Sequence, residues 1–366
     1  VNVIKIQLRF LLLIGLLVSC SRGNHQAGGR DSSARKQPVE VATKSAQAEL
    51  QFQTVLEAGE NLPERTMEEI VDSIRFIHLE TTDDCYVGDI DKVAMFRDRI
   101  VLFDKQKAHA VFLFDGKGRF LKKYNSMGKG PGEFTYLDDI AVARDSIYVL
   151  INSGTIIRFD RDMKTWQSIK LDCWAGELAV DTVGNGFVVT GMTNEGDVNW
   201  CNSSGKSTGR YLAGHNAGNM FSMHPFSFTN GKILFYHPML DSVYEVTQQG
   251  CRPVRFVNYD KEKSYITYFE NDQHIMFHRF LWFLVKSKAT GIGYTVSTRT
   301  IADPYYSLLY QNWWTNSTVG NWYISIRQPN TILSIEKPAD KRIRELQRST
   351  DWNANPILVF TRLKDR

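Results

Sequence analysis

The stretch Asp91–Tyr124 reads DKVAMF, RDR, IVLFD, KQKAH, AVFLFD, GKG, RFLKKY. Four short runs rich in Val, Ile, Leu and Phe alternate with clusters of charge and glycine. Runs of this length are too short for helices, and their β-branched and aromatic content favours a pleated, half-buried surface. The intervening clusters are turn formers. The stretch therefore predicts four antiparallel strands joined in sequence by short connections.

The unit recurs. Asp115 ends FLFD before the turn GKG, and Asp160 ends IIRFD before RDMK. Asn202 ends VNWCN before SSGK, and Thr247 ends VYEVT before QQG. These positions are spaced by 45, 42 and 45 residues. A four-strand unit at this period is one blade of a β-propeller. The β-rich span Ile74–Leu363 gives each of six blades about 48 residues, close to the observed period, whereas seven would leave each only about 41. The fold class is all-β: a six-bladed propeller of four-stranded antiparallel blades.

The later blades are less regular. FHRFLWFLVKS (277–287) and GIGYTVSTRT (291–300) read as one hairpin, and NWYISIR (321–327) and NTILSIEK (330–337) as strands of the last blade. ADKRIRELQRS (339–349) reads as a short amphipathic helix inserted before a final strand, NPILVFTRLK (355–364). The early run SIRFIHLE (73–80) has no blade of its own and is expected to pair into the last one, closing the ring.

The segment GKGPGEF (128–134) poses a separate question. A phosphate loop needs Lys followed by Ser or Thr at the start of a helix. Here Gly130-Pro131 follows Lys129, and the β-like TYLDDIAVA follows Phe134. The nucleotide reading fails, and the segment is expected to turn the chain from the outer strand of blade 1 to the inner strand of blade 2. Phe134 is expected to wedge between blades. Glu133 either accepts loop N–H bonds or faces a ligand. A balance of 44 basic against 40 acidic residues, net +4, gives no footing for nucleic acid.

The first residues are a targeting segment rather than fold. Lys5 and Arg9 precede the apolar run FLLLIGLLV (10–18) and then Ser19-Cys20. The run is too short to span a bilayer and suits a signal peptide. Leu17-Val18-Ser19-Cys20 resembles the bacterial lipobox, which implies cleavage after residue 19 and acylation of Cys20. An ordinary cleaved signal with Cys20 incidental is the other reading. The domain organisation is then residues 1–19 signal peptide, 20–50 lipidated cysteine and polar tether, and 51–366 propeller. Cys85, Cys173, Cys201 and Cys251 form no CxxC pair, so a zinc site is not indicated and their disulfide state stays open.

The segments IRFIHLETTDDCYVGDIDKV (74–93), FLFDGKGRFLKKY and MGKGPGEF resemble the six-bladed β-propeller lipoproteins of Gram-negative gut anaerobes, relatives of the NHL-repeat propellers. The resemblance covers roughly residues 67–260 and the last ten residues. It implies the propeller fold and a lipid-anchored envelope address at the outer membrane; in such lipoproteins acidic residues soon after the cysteine resemble a surface-export signal, and their absence from SRGNHQ (21–26) favours the periplasmic face. It implies little chemistry.

Polar residues open the predicted inner strands: Asp89 and Asp91, Asp138 and Asp139, Glu177, and His224. Converging carboxylates of this kind, Asp139 and Glu177 above all, would take Ca²⁺ through oxygen ligands. They equally cap strand ends and turns. No Ser/His/Asp triad can be argued from the sequence, so no catalytic residue is named. Trp313, Trp314 and Trp322 suit either sugar stacking or interblade packing. The leading expectation is a non-catalytic scaffold binding a glycan, a peptide or an envelope protein, with Asp89, Glu133, Asp139, Glu177 and His224 at the channel mouth. The alternative is a metal-dependent hydrolase or lyase, lactonase-like, at the same mouth.

Overall fold

The computed structural model describes residues 53–57, 62–183, 185–193, 196–213, 225–258, 266–279, 282–297, 305, 317–336, 338 and 340–365. The chain opens with β1 (Gln53–Glu57), a single helical turn α1 (Met67–Ile70) and β2 (Val71–His78). A capping box fixes the start of α1. Thr66 Oγ1 accepts the Glu69 N–H, and the Glu69 carboxylate accepts the Thr66 N–H.

Blade 1 comprises β3 (Lys92–Phe96), β4 (Arg99–Asp104), β5 (Ala110–Asp115) and β6 (Phe120–Tyr124). Blade 2 comprises β7 (Leu137–Ala143), β8 (Ser146–Ile151), β9 (Thr155–Asp160) and β10 (Trp166–Lys170). Blade 3 comprises β11 (Leu178–Asp181), β12 (Gly186–Thr193), β13 (Gly196–Asn202) and β14 (Ser207–Tyr211). Blade 4 comprises β15 (Phe226–Thr229), β16 (Lys232–His237), β17 (Ser242–Thr247) and β18 (Gly250–Asn258). Blade 5 comprises β19 (Ile266–Glu270), β20 (His274–Arg279), β21 (Trp282–Ser287) and β22 (Gly293–Ser297).

Blade 6 is assembled from both ends of the propeller. Its strands β23 (Ser317–Val319), β24 (Trp322–Arg327) and β25 (Ile357–Leu363) are followed in space by β2, antiparallel to β25 from Val71↔Leu363 to His78↔Ile357. The expected closure by the 73–80 run is therefore what the chain does. First strands of adjacent blades lie side by side: β23 beside β3, β3 beside β7, β7 beside β11, and β15 beside β19.

Each of the six junctions has its own apolar core. Ile100, Phe112, Ile326 and Phe360 join blades 1 and 6, while Phe103, Leu113, Phe134 and Val149 join blades 1 and 2. Corresponding clusters fill the other four junctions. β4, β5 and β8 are buried on both faces almost throughout, which is why they read as continuous apolar runs rather than alternating ones.

The repeat residues have a shared physical role. Asp115 Oδ1 accepts the N–H groups of Lys117 and Arg119, and Asp160 accepts those of Asp162, Lys164 and Thr165. Asn202 Oδ1 accepts those of Ser204 and Lys206, and Thr247 Oγ1 that of Gln249. Each side chain closes the turn between the third and fourth strands. Three residues on, Gly118 and Gly205 adopt φ of +85° and +87°. A Cβ there would lie 2.1 Å from His78 O and 2.2 Å from Lys170 O of the preceding blade. Glycine thus serves both the left-handed turn and the close approach between blades.

GKGPGEF also turns the chain. Gly128 N–H donates to Phe134 O, Phe134 N–H to Ser126 O, and the Glu133 carboxylate accepts the Gly130 N–H at 2.8 Å. Gly132 has φ +75°, and a Cβ on it would meet the Trp166 ring at 2.7 Å. Phe134 is fully buried, edge-on to Tyr124 at 5.3 Å.

Three local readings change. FHRFLWFLVKS is not one strand: it contributes the end of β20 and the whole of β21, which pair antiparallel, and only β21 forms the expected hairpin with β22. NTILSIEK is not a strand. Pro329, preset for a first helical turn, starts α2 (Pro329–Leu333). The expected helix is α3 (Lys341–Arg348), capped by Asp340, whose carboxylate accepts the Arg342 N–H. Ile332, Ile343 and Leu346 pack on Ile357, so both helices form a satellite core on blade 6. Finally, β1 adds to β18 in parallel, from Gln53↔Arg255 to Glu57↔Asn258, making blade 4 five-stranded. It covers an outer edge that Pro253 and arginines already make a poor template for pairing.

Candidate binding face

The connections that lead into the inner strands are held by buried carboxylates. Asp104, fully buried, accepts the N–H groups of Gly88 and Asp89 on Oδ2 and of Lys107 and Ala108 on Oδ1, at 2.7–2.9 Å. Asp91 accepts the Lys105 N–H at 2.7 Å. Burial raises the Asp91 carboxyl, outweighing that hydrogen bond. Asp89 itself is exposed, 3.7 Å from Lys107 Nζ.

Asp138 accepts the Ser153 N–H at 2.7 Å and its hydroxyl at 3.1 Å, yet burial pushes its carboxyl up to about 6. Asp139, 1 % exposed, takes Lys92 Nζ on both oxygens at 2.8 and 2.9 Å and the Leu178 N–H at 2.8 Å. One carboxylate therefore ties the first strands of blades 1, 2 and 3. The Lys92 ammonium holds the place a metal cation would take on Asp139. Glu177 is half-buried, and its backbone pairs with Thr190. Glu133 serves the GKGPGEF turn. His224 and Cys20 lie outside the described residues, as do Trp313 and Trp314. Among the described residues, no group of three or more His, Cys, Asp or Glu is arranged to hold a metal ion.

Other buried polar groups also pair across junctions. His237 Nε2 lies 3.0 Å from Asp197 Oδ2, between blades 4 and 3. Glu270 accepts Arg255 and Lys288, as well as the Tyr268 hydroxyl, between blades 5 and 4. Burial acts to raise Glu270, but Arg255 and Lys288 hold it below its ordinary value. Trp322 packs under the Arg362 guanidinium at 5.2 Å and edge-on to Phe360 at 6.4 Å, the packing reading of that residue.

A different feature was not anticipated. Asn355, 1 % exposed, stitches the connection before β25 to the connection before β3. Its Oδ1 accepts the Val87 N–H at 2.8 Å, and its Nδ2 donates to Glu80 O at 2.7 Å and Cys85 O at 2.8 Å. Its N–H donates to Thr81 Oγ1 at 2.7 Å. The two stitched connections present Tyr86 and Trp352, which are 64 % and 62 % exposed. Both rings stand on backbone that cannot readily yield. Alongside, α3 turns Lys341, Arg344 and Arg348 to solvent. The sequence carried a signal for these rings: each is a lone aromatic among turn formers, DDCY and TDWN, with no apolar periodicity to bury it.

The fold and this face define a six-bladed β-propeller whose inner carboxylates serve the scaffold. The chain belongs to the family described as a domain of unknown function (DUF4934), matched over residues 52–362. It is similar in fold to the crystal structure of a Bacteroides fragilis protein inferred to be exported: TM-score 0.71 at 14% identity, covering 84% of this chain and 98% of that one. Weaker likenesses are BamB from Moraxella catarrhalis (TM-score 0.39, 13% identity, 62% of this chain and 67% of that one) and the Neurospora crassa Pan2 WD40 domain (0.38, 10%, 57% and 65%). No curated protein matches the chain.

Proposed function

We propose that this chain is an exported, lipid-anchored propeller of the cell envelope that binds a glycan without transforming it. The observation that carries the reading is the pair of exposed rings, Tyr86 and Trp352, on connections locked by the buried Asn355. Flat aromatic faces stack on the apolar faces of sugar rings. Rings already held in place lose little conformational freedom on binding. The inner carboxylates, by contrast, are engaged by backbone N–H groups and by Lys92, which supports a scaffold in preference to metal-assisted chemistry.

The envelope address rests on the lipobox-like Leu17–Cys20 and on the description of the Bacteroides fragilis relative as exported. With the tether between, the disc would face the periplasm from the outer membrane. A peptide or protein partner would use the same rings and remains an outcome of the test.

A glycan array probed with the purified chain tests the reading. We expect binding that falls at least tenfold in Tyr86→Ala and Trp352→Ala, both of which melt as the parent does. Binding unchanged in both variants, or turnover of a bound glycan, would refute it. For the address, Cys20→Ser is expected to move the protein from the membrane to the soluble fraction. Absence of acyl chains on Cys20 of the wild-type protein, read by mass spectrometry, would exclude the lipid anchor.

A further inference from the structure

Two thiols with no part in the binding face meet at the junction of blades 2 and 3. Cys173 Sγ and Cys201 Sγ are 3.7 Å apart. Cys201, in β13, is wholly buried, and Cys173, on the connection from β10 to β11, is partly exposed. The backbone carrying Cys173 is pinned on both sides. Asp172 donates its N–H to Gly205 O and accepts the Ser207 N–H at 2.7 Å, fixing the connection to the turn that follows β13. Leu171 N–H donates to Gly154 O at 2.8 Å and Ala175 N–H to Ser153 O at 2.9 Å. The fold thus holds the backbone of Cys173 in place beside β13. A disulfide requires about 2.05 Å between sulfurs, so bond formation calls for a further approach of the two side chains.

The geometry points to a Cys173–Cys201 disulfide, formed by exchange with an oxidised dithiol carrier of the envelope. The Cys173 thiolate attacks one sulfur of the carrier disulfide and forms a mixed disulfide, releasing the other carrier sulfur as a thiolate. Cys201 then attacks the Cys173 sulfur and expels the second carrier sulfur. Two protein thiols are oxidised, one carrier disulfide is reduced to two thiols, and the two protons pass to the carrier. Burial sets the order, because only Cys173 can meet an external disulfide. Contact with Cys201 also lowers the Cys173 thiol, while the same contact and burial raise Cys201. Cys85, buried against Asn355, and Cys251, at the junction of blades 3 and 4, are expected to stay reduced. The inference takes from the proposed export only its oxidant. The aromatic rings play no part in it, so either reading can fail alone.

The test is reduction of the purified full chain, removal of the reductant and incubation with oxidised glutathione, followed by intact mass and peptide mapping without reductant. We expect loss of two hydrogen atoms, a peptide pair linked through Cys173 and Cys201, and no retained glutathione. Cys201→Ser, which removes the resolving thiol, is expected to keep one glutathione on Cys173. Cys173→Ser is expected to take none on Cys201. An unmodified parent chain, a parent chain that retains glutathione, or a link through Cys20, Cys85 or Cys251 would overturn the inference.

Discussion

Asn355→Ala tests whether one buried amide holds the binding face. The substitution removes three side-chain hydrogen bonds, from Val87 N–H and to Glu80 O and Cys85 O. An orphaned buried N–H costs about 1–3 kcal/mol, and each carbonyl that loses its donor adds roughly 0.5–1.5 kcal/mol. Water entering the vacated space returns part of this, so the expected loss is about 3 kcal/mol. A domain of about 300 residues unfolds with an entropy near 0.6 kcal/mol/K, which sets the fall in Tm at about 5 °C. The assay is thermal melting, with hydrogen exchange read at Val87. Asn355→Asp sharpens the logic. It keeps an acceptor for Val87 but turns a carboxylate towards two carbonyl oxygens, so at neutral pH it is expected to destabilise at least as much as alanine. A Tm within about 1 °C of the parent, with Val87 still protected, would refute the claim that this residue holds the two connections together.

Two carboxylates of the inner strands give further tests. For Asp138, burial sets the folded value at about 6, above the unfolded value of about 3.9, so the folded state binds the extra proton and stability falls as pH rises from about 4 to about 6. Asp138→Asn is expected to remove a drop of about 2 kcal/mol across that window; an unchanged slope in urea titrations at several pH values would contradict this. For the Lys92–Asp139 pair, side-chain exposure is 17% and 1%. Lys92→Met strands the more buried charge and is expected to cost about 3 kcal/mol, more than Asp139→Asn, whose orphaned ammonium can reach water. Chemical denaturation showing the reverse order would disprove the assignment of Asp139 as the buried partner.

Much of the fold was legible because its determinants are local. Asp115, Asp160, Asn202 and Thr247 each bond to backbone within five residues, so their recurrence shows along the chain as directly as it does in space. Errors arose where tertiary context decides. The apolar run NTILSIEK has strand-like composition, yet Pro329 and the pocket made by Ile343, Leu346 and Ile357 select a helix. The break between β20 and β21 carries no Gly, Pro or Asn to mark it. The partners of the inner-strand carboxylates and of Asn355 were not legible: the Lys92–Asp139 pair spans 47 residues and the Asn355–Val87 bond 268. Hydrogen bonds of such separation leave no periodic trace, and the amide that joins the two connections was therefore invisible in the sequence.

That separation also bears on where function can lie. A carboxylate whose oxygens are already engaged has little left for a ligand: Asp104 is filled by backbone N–H groups, Asp139 by Lys92 and the Leu178 N–H, and Glu270 by Arg255, Lys288 and the Tyr268 hydroxyl. Exposed aromatics differ in the opposite sense. Trp166, though 48% exposed, is accounted for by its packing on Gly132, and Trp322 by Arg362 and Phe360. A single exposed ring elsewhere would need no explanation. Tyr86 and Trp352 are more than half exposed, and leaving such rings in water forgoes roughly 1–2 kcal/mol of burial each. The connections beneath them are nevertheless bonded to one another through the buried Asn355. Stability alone would favour burying the rings or replacing them with polar residues. Rigid support under exposed aromatic area is what a preorganised recognition surface requires, which is why the proposed glycan site is put on the stitched connections rather than among the channel carboxylates.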